Sequence, residues 1–383
     1  MKLQEMPDGF DEKYMRMAIE LAKQGSGRVN PNPLVGAVIV KDGQVIGQGY
    51  HTRYGCLHAE REAFASLKKL EEAEGADLYV TLEPCCHYGK QPPCTEAVVE
   101  HGIRRVFVGS ADPNPLVEGK GISFLRDRGV EVYEHVLQDE CDKLNEIFFY
   151  YIQKKRPYVI MKYAMTMDGK IATFSGKSRW ITGEAARKRV HADRKRCAGI
   201  MVGIQTVLTD DPMLNCRLED GVDPVRIVCD SRLRIPLESR LVQTVKEIPT
   251  WIAAVKPETE QQVEKAEKLK ELGCRIFYTD ADTEGHVDLN QLMDMLGEEK
   301  IDSILLEGGA VLHEAALRNG IVQKVQAYLA PKIFGGSKAP SPVGGIGVDS
   351  PDQAWLLSEP EITKLGADIL LESEVRYPCL QES

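Results

Sequence analysis

In the stretch from His58 to Cys94, HAEREAFASLKKLEEAEGADLYVTLEPCCHYGKQPPC, the imidazole of His58 and the thiols of Cys85 and Cys94 follow an order typical of a metal site. His58 precedes Cys85 by 27 residues, and eight residues separate Cys85 from Cys94. One nitrogen and two sulfur ligands suit zinc and leave the fourth tetrahedral position for water. Taken singly, His58 and either cysteine would more often be packed side chains, so the prediction rests on their order and context.

Glu60 lies two residues after His58, where it is placed to carry protons rather than to bind metal. The order H-x-E…P-C…C is typical of zinc deaminases, which replace the amine of a heterocycle with oxygen. Residues 78–82 predict a strand, and the segments 59–69 and 94–101 predict helices. The ligands therefore lie at helix N-termini, where the helix dipole favours the thiolate over the thiol.

The length, net charge and cysteine content limit the classes of protein to which this chain can belong. The 383 residues are enough for two or three domains. A net charge of −10 and a sequence pI of about 5.5 argue against broad nucleic-acid binding, which needs an electropositive face. We expect no signal peptide and no membrane span, because the first ten residues and the apolar runs lack the required patterns. Ten cysteines without a dense framework fit a reducing cytosol, so we expect a cytoplasmic protein.

The order of predicted elements indicates two α/β domains. A helix over 11–24, a hairpin of strands 35–40 and 44–50, and alternating helices and strands to residue 134 predict a layered domain with a mixed sheet. A helical stretch over 139–155 ends in Lys154-Lys155-Arg156-Pro157, so we place the domain boundary between 1–155 and 156–383. Seven further strands are expected near 158–164, 199–203, 225–229, 250–255, 274–279, 301–306 and 325–330.

Local patterns alone do not reveal the chemistry of the second half. Glu307-Gly308-Gly309 follows a strand and precedes a helix, a turn whose backbone N–H groups can face a phosphate. Arg194 and Arg217 are candidate phosphate ligands, with ordinary surface arginines as the alternative. Asp210-Asp211-Pro212 is typical of a turn that ends a helix.

Several longer motifs resemble those of the bifunctional pyrimidine deaminase–reductases of riboflavin biosynthesis, over nearly the whole chain. In the first half they are residues 32–36 (NPLVG), 58–60 and 83–94, with the eight-residue gap between Cys85 and Cys94 as the specific feature. In the second half they are residues 162–170 (KYAMTMDGK), 178–182 (SRWIT), 210–212 and 307–309.

The resemblance implies a cytidine-deaminase-like three-layer α/β/α domain and a dihydrofolate-reductase-like α/β domain. The first would use one zinc ion per chain to deaminate 2,5-diamino-6-ribosylamino-4(3H)-pyrimidinone 5′-phosphate. The second would use NADPH to reduce the ribosyl group to ribityl, giving 5-amino-6-ribitylamino-uracil 5′-phosphate. The expected partner is thus a small phosphorylated pyrimidine, with no nucleic acid and no membrane, and we expect a homo-oligomer, a dimer or a tetramer.

The resemblance also implies residue roles. His58, Cys85 and Cys94 would bind zinc, and Glu60 and Lys162 would be catalytic. The positions matching the deaminase substrate pocket are Asn32, His51, His87, Lys90, Asp112 and Asn114. The positions matching NADPH contacts are Ala164, Trp180, Thr206, Asp210, Ser231 and Gly309. The positions matching the substrate side of the reductase are Ser178, Arg194, Leu214, Arg217 and Glu307.

Cys86 departs from the family pattern, because Ser or Ala is expected beside the ligand. We favour Cys85 as the ligand, since it directly follows Pro84. Two alternatives stay open at this point. One is a deaminase acting on a base in RNA, with the second half as a binding module. The other is a zinc-stabilised scaffold closed by Cys86 as a fourth ligand, against which the presence of Glu60 argues.

Overall fold

The computed structural model describes residues 6–88, 91–115 and 117–377, and it divides the chain into two compact units, Met1–Lys155 and Arg156–Ser383. The division falls at the Lys-Lys-Arg-Pro segment where the sequence places the domain boundary. Among the residues described, no helix has both the length and the apolarity needed to cross a bilayer.

The first unit is a five-stranded mixed sheet with helices on both faces. Its strands are β1 (Gly36–Lys41), β2 (Gln44–Tyr50), β3 (Asp77–Leu82), β4 (Arg105–Ser110) and β5 (Glu131–Tyr133), in the order β2-β1-β3-β4-β5. β1 pairs antiparallel with β2 and β3, and the remaining pairs are parallel. The helices are α1 (Glu12–Lys23), α2 (Ala59–Ala65), α3 (Cys94–Glu100), α4 (Lys120–Asp127), α5 (Gln138–Leu144) and α6 (Glu146–Lys154).

Alternating side chains of the central strands supply two separate cores in this unit. On one face, Val38, Tyr79 and Phe107 pack with α1. On the other, Leu78 and Val80 belong to the cluster that includes residues of α2, α3 and α4. Since β3 is apolar on both faces, it is sandwiched between helices, as the layered arrangement requires.

One sequence prediction is wrong at Asn145. The stretch 139–155 forms two helices, which meet at this residue, rather than the single helix expected. The side chain of Asn145 accepts a hydrogen bond from the backbone N–H of Leu34 at 2.8 Å and donates to the Leu34 carbonyl at 2.9 Å. The residue is 2% exposed and leaves helical geometry between α5 and α6. A buried side chain thus satisfies two backbone groups of the loop before β1 and fixes the start of α6.

The second unit is built on a larger mixed sheet. The seven predicted strands correspond to β6 (Tyr158–Thr166), β7 (Gly199–Gly203), β8 (Val225–Cys229), β9 (Thr250–Val255), β10 (Arg275–Thr279), β11 (Ser303–Leu306) and β12 (Lys324–Ala330). The antiparallel strands β13 (Leu356–Leu357), β14 (Glu361–Leu365) and β15 (Asp368–Arg376) were not predicted. The strand order is β10-β9-β8-β7-β11-β6-β12-β15-β13, parallel from β10 to β12, with β14 paired to β15.

Helices cover this sheet as well. They are α7 (Glu184–Arg196), α8 (Ile204–Asp210), α9 (Arg240–Gln243), α10 (Glu260–Leu272), α11 (Leu289–Glu298) and α12 (Ala310–Arg318). α8 ends at Asp210 and is followed by Asp211 at φ 38°, which agrees with the turn predicted there. The carboxyl ends of β7 and β11 lead directly into α8 and the turn before α12, so these loops meet at one sheet edge, where ligands bind in such folds.

We expect Asn145→Ala to lower the free energy of unfolding of the first unit by roughly 1 to 3 kcal/mol, because it leaves the N–H and the C=O of the partly buried Leu34 without their partner. Urea unfolding and amide exchange at Leu34 measure this. Gln138→Ala, which removes a half-buried amide from α5, is the control and should cost less than about 1 kcal/mol. Equal stability of the two variants would contradict the assignment.

Candidate active sites

Three ligand-type side chains converge in the first unit. His58 is the N-cap of α2, Cys85 follows β3 and Pro84, and Cys94 opens α3. The Sγ atoms of Cys85 and Cys94 each lie 3.4 Å from Nδ1 of His58. All three ligand atoms lie within 4.8 Å of one another, and among the described residues Cys86 is not part of this group.

The donor set fits zinc. Zn–S bonds of about 2.3 Å and Zn–N bonds of about 2.0 Å at tetrahedral angles separate ligand atoms by roughly 3.5 to 3.8 Å. The sulfur–nitrogen distances of 3.4 Å are close to this spacing. Three protein ligands leave one position open, which is typical of catalytic rather than structural zinc sites.

The two thiols and the carboxyl group of Glu60 have shifted pKa values. Hydrogen bonding from Cys94, with a further contribution from His58, lowers the pKa of the Cys85 thiol to about 4. The same contact raises the pKa of Cys94, which acts as the donor. Glu60 is 3% exposed, and burial raises the pKa of its carboxyl group, as is common for a general acid–base.

A cavity of about 360 Å³ opens beside these residues. Of the residues predicted for this site, those that line it are Asn32, His51, His58, Glu60, Cys85, His87, Asp112 and Asn114. Cys94 is fully buried next to the cavity residues His58 and Cys85, and Lys90 lies outside the described residues. Sequence reasoning missed further lining residues, namely Tyr54, Cys56, Gln91, Phe148, Tyr151 and Ile152.

A hydrogen-bond chain sets the orientation of the Asn32 amide. Nδ1 of His51 lies 2.9 Å from the carbonyl of Leu57, so this nitrogen carries the proton. Nε2 is then the acceptor for the Nδ2 group of Asn32 at 3.1 Å. Burial lowers the pKa of His51, which keeps the ring neutral as this arrangement requires. The amide oxygen of Asn32 is consequently the atom that a ligand in the cavity can meet.

Asp112 and Asn114 stand on the loop after β4. Oδ1 of Asp112 accepts a hydrogen bond from the backbone N–H of Asn114 at 2.9 Å, which fixes the turn between them. Burial raises the pKa of Asp112 to about 6. Both residues line the cavity, and this contact fixes the carboxyl group of Asp112.

A second cavity, of about 320 Å³, lies in the second unit at the edge where β6, β7 and β11 end. Of the residues predicted for this site, those that line it are Lys162, Ala164, Ser178, Trp180, Arg194, Thr206, Asp210, Leu214, Arg217 and Glu307. Ser231 and Gly309 are not among its lining residues. Ser231 instead accepts a hydrogen bond from the backbone N–H of Val287 at 3.1 Å. Tyr163, Arg187, His191 and His313 also line the cavity and were not predicted.

Glu307 is the charge centre of this cavity. Nε and Nη2 of Arg194 donate to its two oxygens at 2.7 and 3.0 Å, and Nζ of Lys162 lies 3.6 Å away. Burial alone would raise the pKa of Glu307, but the charges of Arg194 and Lys162 outweigh it and lower this pKa to about 2. The carboxylate is therefore ionised and holds both cations in place.

The two arginines expected to clamp a phosphate have different surroundings. The third contact of Arg194, from Nη1, goes to the carbonyl of Asn215 at 2.9 Å, so each of its three nitrogens has a partner within the protein. Arg217 donates from Nε to Nε2 of His191 at 3.0 Å. Burial and the two arginines lower the pKa of His191 to about 4, so it accepts as a neutral ring. This contact engages Nε of Arg217. The terminal nitrogens of Arg217 are therefore better placed than Nε to bind a phosphate.

The turn before α12 suits an anionic cofactor. Gly309 is the N-cap of this nine-residue helix and has no side chain with which to cap it. An added Cβ at Gly309 would meet no atom within 4 Å, so the backbone is open to close approach. The guanidinium carbon of Arg187 lies 4.7 Å from the ring centre of the exposed Trp180 across the cavity wall. Of these groups, the aromatic face of Trp180 and the cation of Arg187 line the cavity, and they fit the rings and the phosphates of a dinucleotide.

Both units match known family models. Residues 8–110 match the cytidine and deoxycytidylate deaminase zinc-binding region, and residues 157–371 match the RibD C-terminal domain.

The chain is similar over nearly its whole length to riboflavin biosynthesis proteins RibD. The protein from Actinobacillus pleuropneumoniae is 54% identical over 368 residues, which is 96% of either chain. The protein from Bacillus amyloliquefaciens is 43% identical over 94% of this chain and 95% of its own.

Solved structures of similar proteins superpose on nearly the whole chain. Acinetobacter baumannii RibD (form 1) superposes with a TM-score of 0.83 at 35% identity, over 96% of this chain and 99% of its own. A diaminohydroxyphosphoribosylaminopyrimidine deaminase/5-amino-6-(5-phosphoribosylamino)uracil reductase from Thermotoga maritima has a TM-score of 0.81 at 37% identity, over 95% of this chain and 98% of its own.

Replacing Cys85 by Ala should abolish stoichiometric zinc binding, because two ligands hold the ion much more weakly than three. Cys86→Ala is the matched control, one residue along, and should keep one zinc per chain. Metal analysis of the two purified variants, after dialysis against a mild chelator, distinguishes them. If only Cys86→Ala lost zinc, the ligand would be Cys86 and our assignment to Cys85 would be wrong.

Proposed function

Because this chain belongs to the RibD family of riboflavin biosynthesis proteins, we propose that the cavity beside His58 carries out its deamination and the cavity beside Glu307 its reduction. The chain is a bifunctional enzyme that deaminates and then reduces a riboflavin precursor, with Zn²⁺ and NADPH as cofactors. The observation that carries the residue assignment is the convergence of His58, Cys85 and Cys94 beside the buried Glu60.

The proposed substrate of the first cavity is 2,5-diamino-6-ribosylamino-4(3H)-pyrimidinone 5′-phosphate. A zinc ion held by the three ligands would supply Lewis-acid activation of water. Glu60 accepts a proton from the attacking water and returns one to the departing amine, so that water and the amine are exchanged for a carbonyl and ammonia. Glu60 is buried beside the three ligands, so one carboxyl group can serve both steps.

The remaining polar residues of this cavity orient the pyrimidine. The amide oxygen of Asn32, held by His51, accepts a hydrogen bond from the ligand. Asp112 and Asn114 supply further polar groups on the loop after β4. The apolar wall from α6, with Phe148 and Ile152, excludes water from the side of the ring.

In the second cavity, the proposed reaction converts the ribosyl group to ribityl, and NADPH supplies the hydride. The hydride forms a new C–H bond at C1′ as the bond from C1′ to the ring oxygen breaks, and this oxygen takes a proton from solvent. Lys162, held by Glu307, donates a hydrogen bond to the same oxygen as it gains charge. Arg194 acts through Glu307 rather than on the phosphate. The terminal nitrogens of Arg217 bind the 5′-phosphate.

The competing functions are less consistent with the chain. A net charge of −10 does not favour an RNA substrate. A closed structural zinc site would need a fourth protein ligand, whereas Cys86 stands outside the ligand group formed by described residues.

We also propose a homo-oligomer, a dimer or a tetramer, in the cytoplasm. The nine described cysteines are free thiols, which fits a reducing compartment. Light scattering on the purified chain tests the oligomer, and a single monomeric species would refute it.

Glu60→Gln should keep one zinc per chain but reduce ammonia release by at least about a hundredfold, because the amide cannot shuttle protons. Ammonia release from the diaminopyrimidine phosphate measures the loss. Oxidation of NADPH with the deaminated intermediate is the internal control and should be unchanged. Ammonia release at the wild-type rate would refute the role of Glu60.

Arg217→Ala should raise the reductase KM roughly tenfold with a smaller change in kcat, because it removes a charge-assisted contact to the phosphate. The same assay with dephosphorylated substrate should show no difference between the variant and the wild type. Arg275→Ala, which removes an arginine that does not line the cavity, is the control. A KM rise that persists without the phosphate would contradict the assignment.

A further inference from the structure

Glu83 directly precedes Pro84 and the metal-ligand residue Cys85. Its carboxyl group bonds to the backbone of the loop after β4 and of the first turn of α4. Its Oε1 atom accepts hydrogen bonds from the N–H groups of Gly121 at 2.9 Å and Ile122 at 3.2 Å. Its Oε2 atom accepts from Gly119 at 3.0 Å and, at 3.5 Å, from Asp112. Glu83 is 3% exposed, so these contacts are shielded from water.

The carboxylate takes the place of a missing helix cap. Gly119 is the N-cap of α4, at φ 69°, and has no side chain to offer to the first N–H groups. A negative charge at this end of a helix is also favoured by the helix dipole. Glu83 therefore satisfies the start of α4 from a distance of 36 residues in the chain.

Gly121 makes this approach possible. A Cβ atom built on Gly121 would lie 2.1 Å from the carbonyl oxygen of Pro84 and 3.1 Å from Oε1 of Glu83. Only a glycine lets the start of α4 come this close to the segment that leads into Cys85. The segment that leads into Cys85 is thus in close contact with the first turn of α4 at Gly121.

The loop held by Glu83 carries two cavity residues. Asp112 and Asn114 line the cavity, and the carbonyl of Asn114 accepts hydrogen bonds from the N–H groups of Val117 and Glu118 at 2.8 and 2.9 Å. The loop is therefore braced at both ends, at Asp112 and at Gly119. Both oxygens of Glu83 face these N–H groups, so it acts on a ligand through the loop.

We propose that Glu83 is a positioning residue of the deaminase cavity, which sets substrate affinity by holding Asp112 and Asn114 in register with the metal ligands. This inference rests on the deaminase function proposed for the cavity. Glu83 also lines the cavity, but both of its oxygens accept hydrogen bonds from backbone N–H groups, so the role proposed for it is not proton transfer. Its influence is on the alignment of the pyrimidine against the zinc ligands.

The first experiment compares Glu83→Gln with the wild type and with Glu118→Gln, which alters an exposed carboxylate of the same loop. Glu83→Gln keeps the shape of the side chain but turns an NH₂ group toward backbone N–H donors. It should raise the deaminase KM roughly tenfold, change kcat less, and leave one zinc per chain and NADPH oxidation unchanged. Glu118→Gln should match the wild type. Loss of zinc from Glu83→Gln would make Glu83 a structural residue of the metal loop and overturn the proposal.

A double-mutant cycle tests the route of the effect. If Glu83 acts through Asn114, the KM rise caused by Glu83→Gln should largely disappear in an Asn114→Ala background. A general loosening of the fold would instead multiply the two KM effects. Multiplied effects would overturn the proposal even if each single variant were impaired.

Amide exchange tests the positioning role of Glu83 independently of the deaminase function on which it rests. Glu83→Gln should speed exchange at Gly119, Gly121 and Ile122 whether or not the substrate is turned over. Wild-type chain that releases no ammonia from the diaminopyrimidine phosphate would refute the proposed function. Unchanged exchange in Glu83→Gln would refute the positioning role alone.

Discussion

The deaminase unit depends on one geometric constraint, the meeting of two thiols and one imidazole nitrogen that come from three segments. β3 delivers Cys85, while His58 and Cys94 stand at the starts of α2 and α3. Both helices and one face of β3 belong to the same apolar cluster. Because metal–ligand distances tolerate only small errors, the packing of this cluster sets the chemistry of the site.

In the second unit, the elements around the cavity are held together by buried ion pairs, whereas in the first unit they meet at the metal ligands. A buried carboxylate is costly unless it is paired, and Glu307 is paired with Arg194 and Lys162. The three groups come from β6, α7 and the turn after β11, so the ion pairs tie together the elements that form the cavity. A neutral His191 beside Arg217 extends the same arrangement to the cavity edge.

The sequence predicts those features that are local along the chain. The metal ligands, Glu60 and the seven parallel strands of the second unit each have a short pattern. The break at Asn145 has none, because its partner Leu34 is 111 residues away. The engagement of Arg194 by Glu307 spans 113 residues and is equally hidden. The strands β13 to β15 were missed because the first is only two residues long and their apolar side chains are partly exposed.

The attachment of α6 through Asn145 has a consequence for how such a protein can diverge. One side chain, rather than a ladder of backbone hydrogen bonds, fixes the start of the helix that brings Phe148, Tyr151 and Ile152 to the cavity wall. A single codon change at this position would alter three wall residues at once without touching the metal ligands. Selection can therefore reshape which heterocycle is accepted while the hydrolytic machinery is inherited intact.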